Sequence, residues 1–122
     1  MAGCATNLMY LFLILGLAAP TLATEYMVGG SVGWSLDANL QLWLNGKTFK
    51  VGDVLVFNYD PKLCNLVQVD ITGYSTCLPT NILYIDDSGK TTITLSKAGV
   101  FYYISSLSNT CLDGLKITIT VL

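Results

Sequence analysis

Cysteine, carboxylate and hydroxyl side chains carry most of the chemistry open to this 122-residue chain. Its four cysteines, Cys4, Cys64, Cys77 and Cys111, offer soft sulfur that can ligate a metal, react as a thiolate or pair into disulfides. Asp86 and Asp87 are the only adjacent acidic pair, an arrangement that acid–base chemistry or Ca²⁺ binding would use. Ser105, Ser106 and Ser108 group three hydroxyls, but nucleophilic catalysis needs a neighbouring base to activate one of them. The chain contains no histidine. It therefore cannot use an imidazole base, a histidine triad or an imidazole-ligated metal. No Gly-rich turn leads from a strand into a helix, so phosphate binding has no support. With six Lys, no Arg and a net charge of −2, it lacks the basic footprint of a nucleic-acid binder. At 52% hydrophobic and 11% charged it fills the core of one ordinary domain. These residues suggest no enzyme.

All charged side chains lie at or after Glu25. Residues 8–23 are uncharged and apolar, broken at Pro20, and end in Thr21-Leu22-Ala23, a small-x-small-like cleavage site. This run is short for a membrane span, which needs about 20 apolar residues. Residues 1–23 are expected to be a signal peptide cut after Ala23, the alternative being an uncleaved anchor helix. The mature domain then occupies residues 24–122, with no second apolar run of spanning length. Cys64, Cys77 and Cys111 remain in an oxidising compartment, where two pair and one is left over. Sequence alone permits three pairings.

Short β-type runs separated by turn signals must position these residues. Tyr26-Met27-Val28 leads into Gly29-Gly30, and Val54-Leu55-Val56-Phe57 follows a turn at Gly52-Asp53. Leu66-Val67-Gln68-Val69 and residues 81–85, 91–95, 100–104 and 115–122 complete the set. In the last run Ile117, Ile119 and Val121 alternate with Lys116, Thr118 and Thr120. Such alternation at this spacing predicts an all-β antiparallel sandwich or barrel. Only residues 36–44 have a helical look, and residues 74–78 suit a single helical turn. Asp86-Asp87 before Ser88-Gly89 reads as a solvated hairpin tip. Trp34 and Trp43 are expected in the core, with a glycan- or partner-binding surface as the alternative. Phe101, Tyr102 and Tyr103 should alternate between core and surface.

Several local motifs go beyond pattern. Val28-Gly29-Gly30-Ser31-x-Gly33-Trp34 precedes Trp43-x-x-Gly46-Lys47-Thr48-Phe49-Lys50-Val51-Gly52-Asp53-x-Leu55-Val56-Phe57. Asn65-x-Val67-x-Val69, Tyr74-x-x-Cys77, Tyr102-x-Ile104 and Cys111-x-x-Gly114-x-Lys116-Ile117 follow in order. From Tyr26 to Val121 the chain resembles the phytocyanins, plant extracellular blue-copper proteins. The resemblance implies a cupredoxin-like Greek-key β-sandwich with a disulfide between Cys77 and Cys111. That bridge would leave Cys64 as a free thiol, either inert, redox-active or linking a dimer.

The resemblance also implies a copper held by two His, one Cys and an axial Met or Gln, a soft trigonal set that suits both oxidation states. The positions matching those ligands are Cys64, Ser105, Thr110 and Leu115. None carries the family's residue, so no copper or other cofactor is expected. The chain is in this respect similar to the early nodulin-like phytocyanins that lack copper ligands. The expected function is a secreted binding, structural or signalling module at the apoplast or cell surface. Its partner would be a cell-wall glycan or an extracellular protein, and its state a monomer or a Cys64-linked dimer. Blue-copper electron transfer and a Cys64-dependent redox role are the alternatives.

Overall fold

The computed structural model describes residues 22–122. The leader expected over residues 1–23 lies outside them, apart from Leu22 and Ala23. Among the described residues, seven strands and two short helices follow one another. They are β1 (Glu25–Met27), α1 (Leu40–Leu44), β2 (Val54–Asn58), β3 (Leu66–Val69), α2 (Ile71–Thr76), β4 (Ile82–Asp86), β5 (Lys90–Thr94), β6 (Gly99–Ile104) and β7 (Lys116–Val121). Two sheets result, ordered β1-β2-β5 and β4-β3-β6-β7. The chain changes sheet after β2, after β4 and after β5, so β3 and β6 meet across a long sequence interval. Their register pairs Val67 with Ile104 and Val69 with Tyr102. The all-β sandwich expected from alternation is the observed architecture.

Three local expectations need correction. β1 runs parallel to β2, with Glu25 opposite Val54 and Met27 opposite Val56, rather than antiparallel. The long excursion between them turns the chain back, and parallel pairing requires a crossover of at least that kind. Asp86-Asp87 is not a hairpin tip, because β4 and β5 lie in different sheets. It is a crossover, tied by the Asp86 carboxylate, which accepts from Thr91 Oγ1 at 2.7 Å and Ser88 Oγ at 2.8 Å. Finally, the helical turn lies earlier than residues 74–78. Asp70 caps α2 by accepting from Gly73 N–H at 2.8 Å, and Cys77 ends it at φ 57°. Ile71 and Thr72 carry β-branched side chains, which hid the helix start.

The core fills the space between the sheets. Ile117, Ile119 and Val121 of β7 point inward with Leu66, Phe57 and Leu55. Trp34, fully buried, meets Phe57 edge-on with ring centroids 5.2 Å apart, and Phe57 meets Tyr103 at 5.4 Å. Burial pushes the Tyr103 phenol up to about 12. Burying aromatic rings of this size contributes a large share of core energy, about 2 kcal/mol or more each. The loop carrying Trp34 depends on glycine. A Cβ on Gly29, at φ +82°, would sit 2.0 Å from the Gly33 carbonyl oxygen. One on Gly33, at φ +83°, would sit 2.7 Å from the Asn58 carbonyl oxygen, the atom that accepts from Trp34 N–H at 2.8 Å.

A second apolar cluster, Val67, Val69, Ile104 and Cys111, lies under α2 and packs with Tyr74, Cys77 and Tyr102. The disulfide joins Cys77 to Cys111, with Cα atoms 5.7 Å apart, as the resemblance implies. It clamps the end of α2 to the loop that leads into β7.

Candidate functional site

The four positions singled out by the resemblance converge on one end of the sandwich. Cys64 sits two residues before β3, Ser105 directly follows β6, and Thr110 and Leu115 bound the loop before β7. Pairing of β3 with β6 and of β6 with β7 brings these three chain segments side by side.

Backbone bonds hold the loop. Ser105 N–H donates to Leu115 O at 3.1 Å, and Leu115 N–H donates to Thr110 O at 2.8 Å. Side chains complete the tie. Thr110 Oγ1 lies 2.8 Å from Ser105 Oγ, 2.6 Å from Leu107 O and 3.2 Å from Ser105 O. Ser105 Oγ also accepts from Asn65 N–H at 3.2 Å. A hydroxyl carries one proton and two lone pairs, so both hydroxyls are consumed internally. Leu115 is 1% exposed and belongs to the core cluster.

Cys64 is a free cysteine packed against the same cluster, 5% exposed. Burial, and then the Asp60 carboxylate nearby, push its thiol above the ordinary cysteine range. The reactive species is the thiolate, so this environment holds the sulfur in its unreactive protonated form. Outside it opens a cleft of about 430 Å³, whose walls include Leu36, Lys62, Leu63, Asn109 and Thr110. Leu63 and Leu112 are 64% and 71% exposed at this end.

The structure brings in residues to which the sequence attached no role. Asn65 forms a two-way clamp with Ser106: its Nδ2 donates to Ser106 Oγ at 2.8 Å, and its Oδ1 accepts from Ser106 N–H at 2.7 Å. Trp34 Nε1 donates to the Asn65 carbonyl at 2.9 Å, tying the core to the site. Asn65 lies in a recognisable motif, but its partner stands 41 residues away. Trp34 is core, as expected. Trp43 is half-buried, edge-on to Tyr26 and tilted against Phe49, with the Lys47 amine 4.6 Å above its ring. Asp86 pairs with Leu66 across β3 and β4, two residues from Cys64, and hydrogen bonds from Thr91 and Ser88 hold its carboxyl below the usual range. Tyr102 is half-buried in the cluster beneath α2, while Phe101 and Tyr103 pack in the core between the sheets. Among the described residues, no group of three or more His, Cys, Asp or Glu could hold a metal ion. Among them, too, no helix is long and apolar enough to cross a membrane.

The plastocyanin-like domain family matches residues 34–115. The blue copper protein of Pisum sativum is 39% identical over 117 residues, covering 96% of this chain and 62% of that protein. Early nodulin-like protein 12 of Arabidopsis thaliana is 38% identical over 101 residues, covering 79% of this chain and 53% of its own length. The chain thus spans under two thirds of the length of these two relatives. Among solved structures, the cucumber basic protein, a blue copper protein, is 40% identical with a TM-score of 0.73. It is matched over 100% of its length by 81% of this chain. A two-sheet sandwich closed by the Cys77–Cys111 bridge, with these matches along its length, makes this chain a member of the phytocyanin family.

Proposed function

We propose that this phytocyanin is secreted, has lost its type 1 copper ligands, and serves as an extracellular binding or signalling module. The observation that carries the reading is the chemistry of the four converging positions. A blue-copper centre uses a thiolate, two imidazoles and a weak axial donor. The chain has no imidazole at all. Ser105 and Thr110 are neutral hydroxyls already hydrogen-bonded to each other, and Leu115 has no donor atom. The Cys64 sulfur alone, held as a thiol, does not make a copper site. These residues do not fit copper.

The contact surface in this reading is the same end of the molecule. Exposed Leu63 lines the cleft beside Cys64 together with Lys62, Asn109 and Asp113, a mixed surface suited to a cell-wall glycan or an extracellular protein. The buried Cys64 favours a monomer over a Cys64-linked dimer, since disulfide exchange needs an accessible thiolate. Secretion rests on the uncharged apolar leader over residues 1–23, and no catalytic activity belongs to this reading.

The test is a copper titration of the secreted protein, first with Cu(II) and then anaerobically with Cu(I). It reads visible absorption, electron paramagnetic resonance and metal retained after dialysis. The expected result is no blue thiolate band and no retained copper. Stoichiometric, coloured copper would overturn the reading and return electron transfer to the chain.

A further inference from the structure

Asp53 is a carboxylate buried at 1% exposure directly ahead of β2, the central strand of the three-stranded sheet. Its backbone is fully engaged: its N–H donates to Lys50 O at 3.0 Å and its carbonyl accepts from Leu95 N–H at 2.8 Å. Its side chain takes two further bonds. Oδ2 accepts from Lys50 N–H at 2.9 Å, and Oδ1 accepts from Thr24 N–H at 2.9 Å. Both of these donors are neutral amides. Both bonds are charge-assisted from the acceptor side alone; a cationic donor in place of one amide adds an opposite charge beside the buried carboxylate.

Thr24 is held firmly in this position. Its carbonyl accepts from Val54 N–H at 2.9 Å, directly ahead of the parallel pairing of β1 with β2. The residues before it are not held: Leu22 is 88% exposed, and Ala23 is exposed as well. A cut between Ala23 and Thr24 therefore removes no packing among the described residues. It leaves the Thr24 nitrogen where it already sits.

We propose that hydrolysis of the Ala23–Thr24 peptide bond completes the Asp53 site, by converting the Thr24 amide into an α-ammonium paired with Asp53 Oδ1. Water is the co-reactant. The C–N bond breaks, the water oxygen joins the Ala23 carbonyl carbon as a carboxylate, and both water protons pass to the Thr24 nitrogen. An α-amine titrates near pH 8, so the group is cationic in a neutral or acidic compartment. Processing thus does more than release the chain: it tightens the start of the sandwich by replacing a neutral donor with a charged one. This proposal rests on the secreted, cleaved reading for the position of the cut.

The experiment uses secreted full-length chain in two forms, wild type and a variant with one extra Ala inserted before Thr24. The insertion keeps the Thr24 N–H donor but moves the charged terminus one residue away. Each form is also made with Asp53→Asn, and every product is checked by intact mass and N-terminal sequencing. The expected result is Thr24 as first residue of the wild type and a Tm about 4–8 °C lower for the extended form at pH 6. Asp53→Asn should close that gap. Should Asp53→Asn fail to fold, the extended form still decides by its own melting point. Equal melting of the two forms with Thr24 at the terminus would overturn the ion pair and leave secretion standing. A product beginning elsewhere, or one that is not secreted, would overturn both.

Discussion

Thr110 Oγ1 lies 2.8 Å from Ser105 Oγ, closing the loop between β6 and β7 on itself five residues apart. In the proposed copper-free reading, these two mutually bonded hydroxyls stand where the family would present metal donors. Thr110→Val keeps the shape but removes the hydroxyl partner of Ser105 Oγ, while the Leu107 carbonyl keeps the backbone N–H of residue 110. Leaving buried polar groups unpaired costs about 1–3 kcal/mol. Urea denaturation should show that loss, with the m-value unchanged. An unchanged midpoint would mean the hydroxyl pair contributes nothing.

Cys64 should resist thiol reagents in the folded protein. It is 5% exposed, and its thiol is raised by burial and by Asp60. A chromogenic disulfide reagent should release about one equivalent only after denaturation, and slowly or not at all before it. Wild type and Cys64→Ser should run as the same monomer band on a non-reducing gel. Rapid labelling of the native protein would point to an accessible thiol instead.

The Cys77–Cys111 bridge spans 34 residues and joins α2 to the β7 loop. In the chain-entropy account, closing such a loop stabilises by about 3–4 kcal/mol. Replacing both cysteines by Ser should lower unfolding stability by roughly that amount, with a larger m-value because the unfolded chain expands. The second cluster beneath α2 should loosen first, visible as faster amide exchange in residues 71–76. A loss below about 1 kcal/mol would mean packing alone holds that helix.

Acid should act through Asp70 and Asp86. Gly73 N–H and the Asn81 amide hold the Asp70 carboxyl below its usual range. Hydrogen bonds from the Thr91 and Ser88 hydroxyls do the same for Asp86. A carboxyl depressed in the folded state stabilises above its unfolded value of about 3.9 and loses that contribution as pH falls through the folded value. Asp70→Ala and Asp86→Ala should therefore lower Tm at pH 6 and change it much less at pH 2. Equal losses at both pH values would show that the charge plays no part.

Much of the fold was legible because strand alternation is a local property. Ile117, Ile119 and Val121 declared their inward face in the sequence, and the structure buries all three. Elements whose geometry depends on distant partners were harder. β1 runs parallel to β2 because of where the intervening chain returns, which its own three residues cannot encode. The Asp86-Asp87 turn has the composition of a hairpin tip, yet its flanking strands belong to different sheets. Asn65 and Ser106 clamp each other across 41 residues, a pairing no local pattern announces.

What the sequence determined by itself was the inventory of donors: no imidazole, many hydroxyls, and thiol sulfur at four positions. Composition is absolute, and folding cannot supply a side chain that the chain lacks. Tertiary structure decided which of those groups meet. Packing β3 against β6 joined Cys64, Ser105 and Thr110 at one end, buried the Cys64 sulfur, and used up the hydroxyls on each other. It also sank the Asp53 carboxylate beneath the Thr24 nitrogen, 29 residues away. Distances of that kind are set by how apolar faces close over one another, so they exist only once the two sheets have packed.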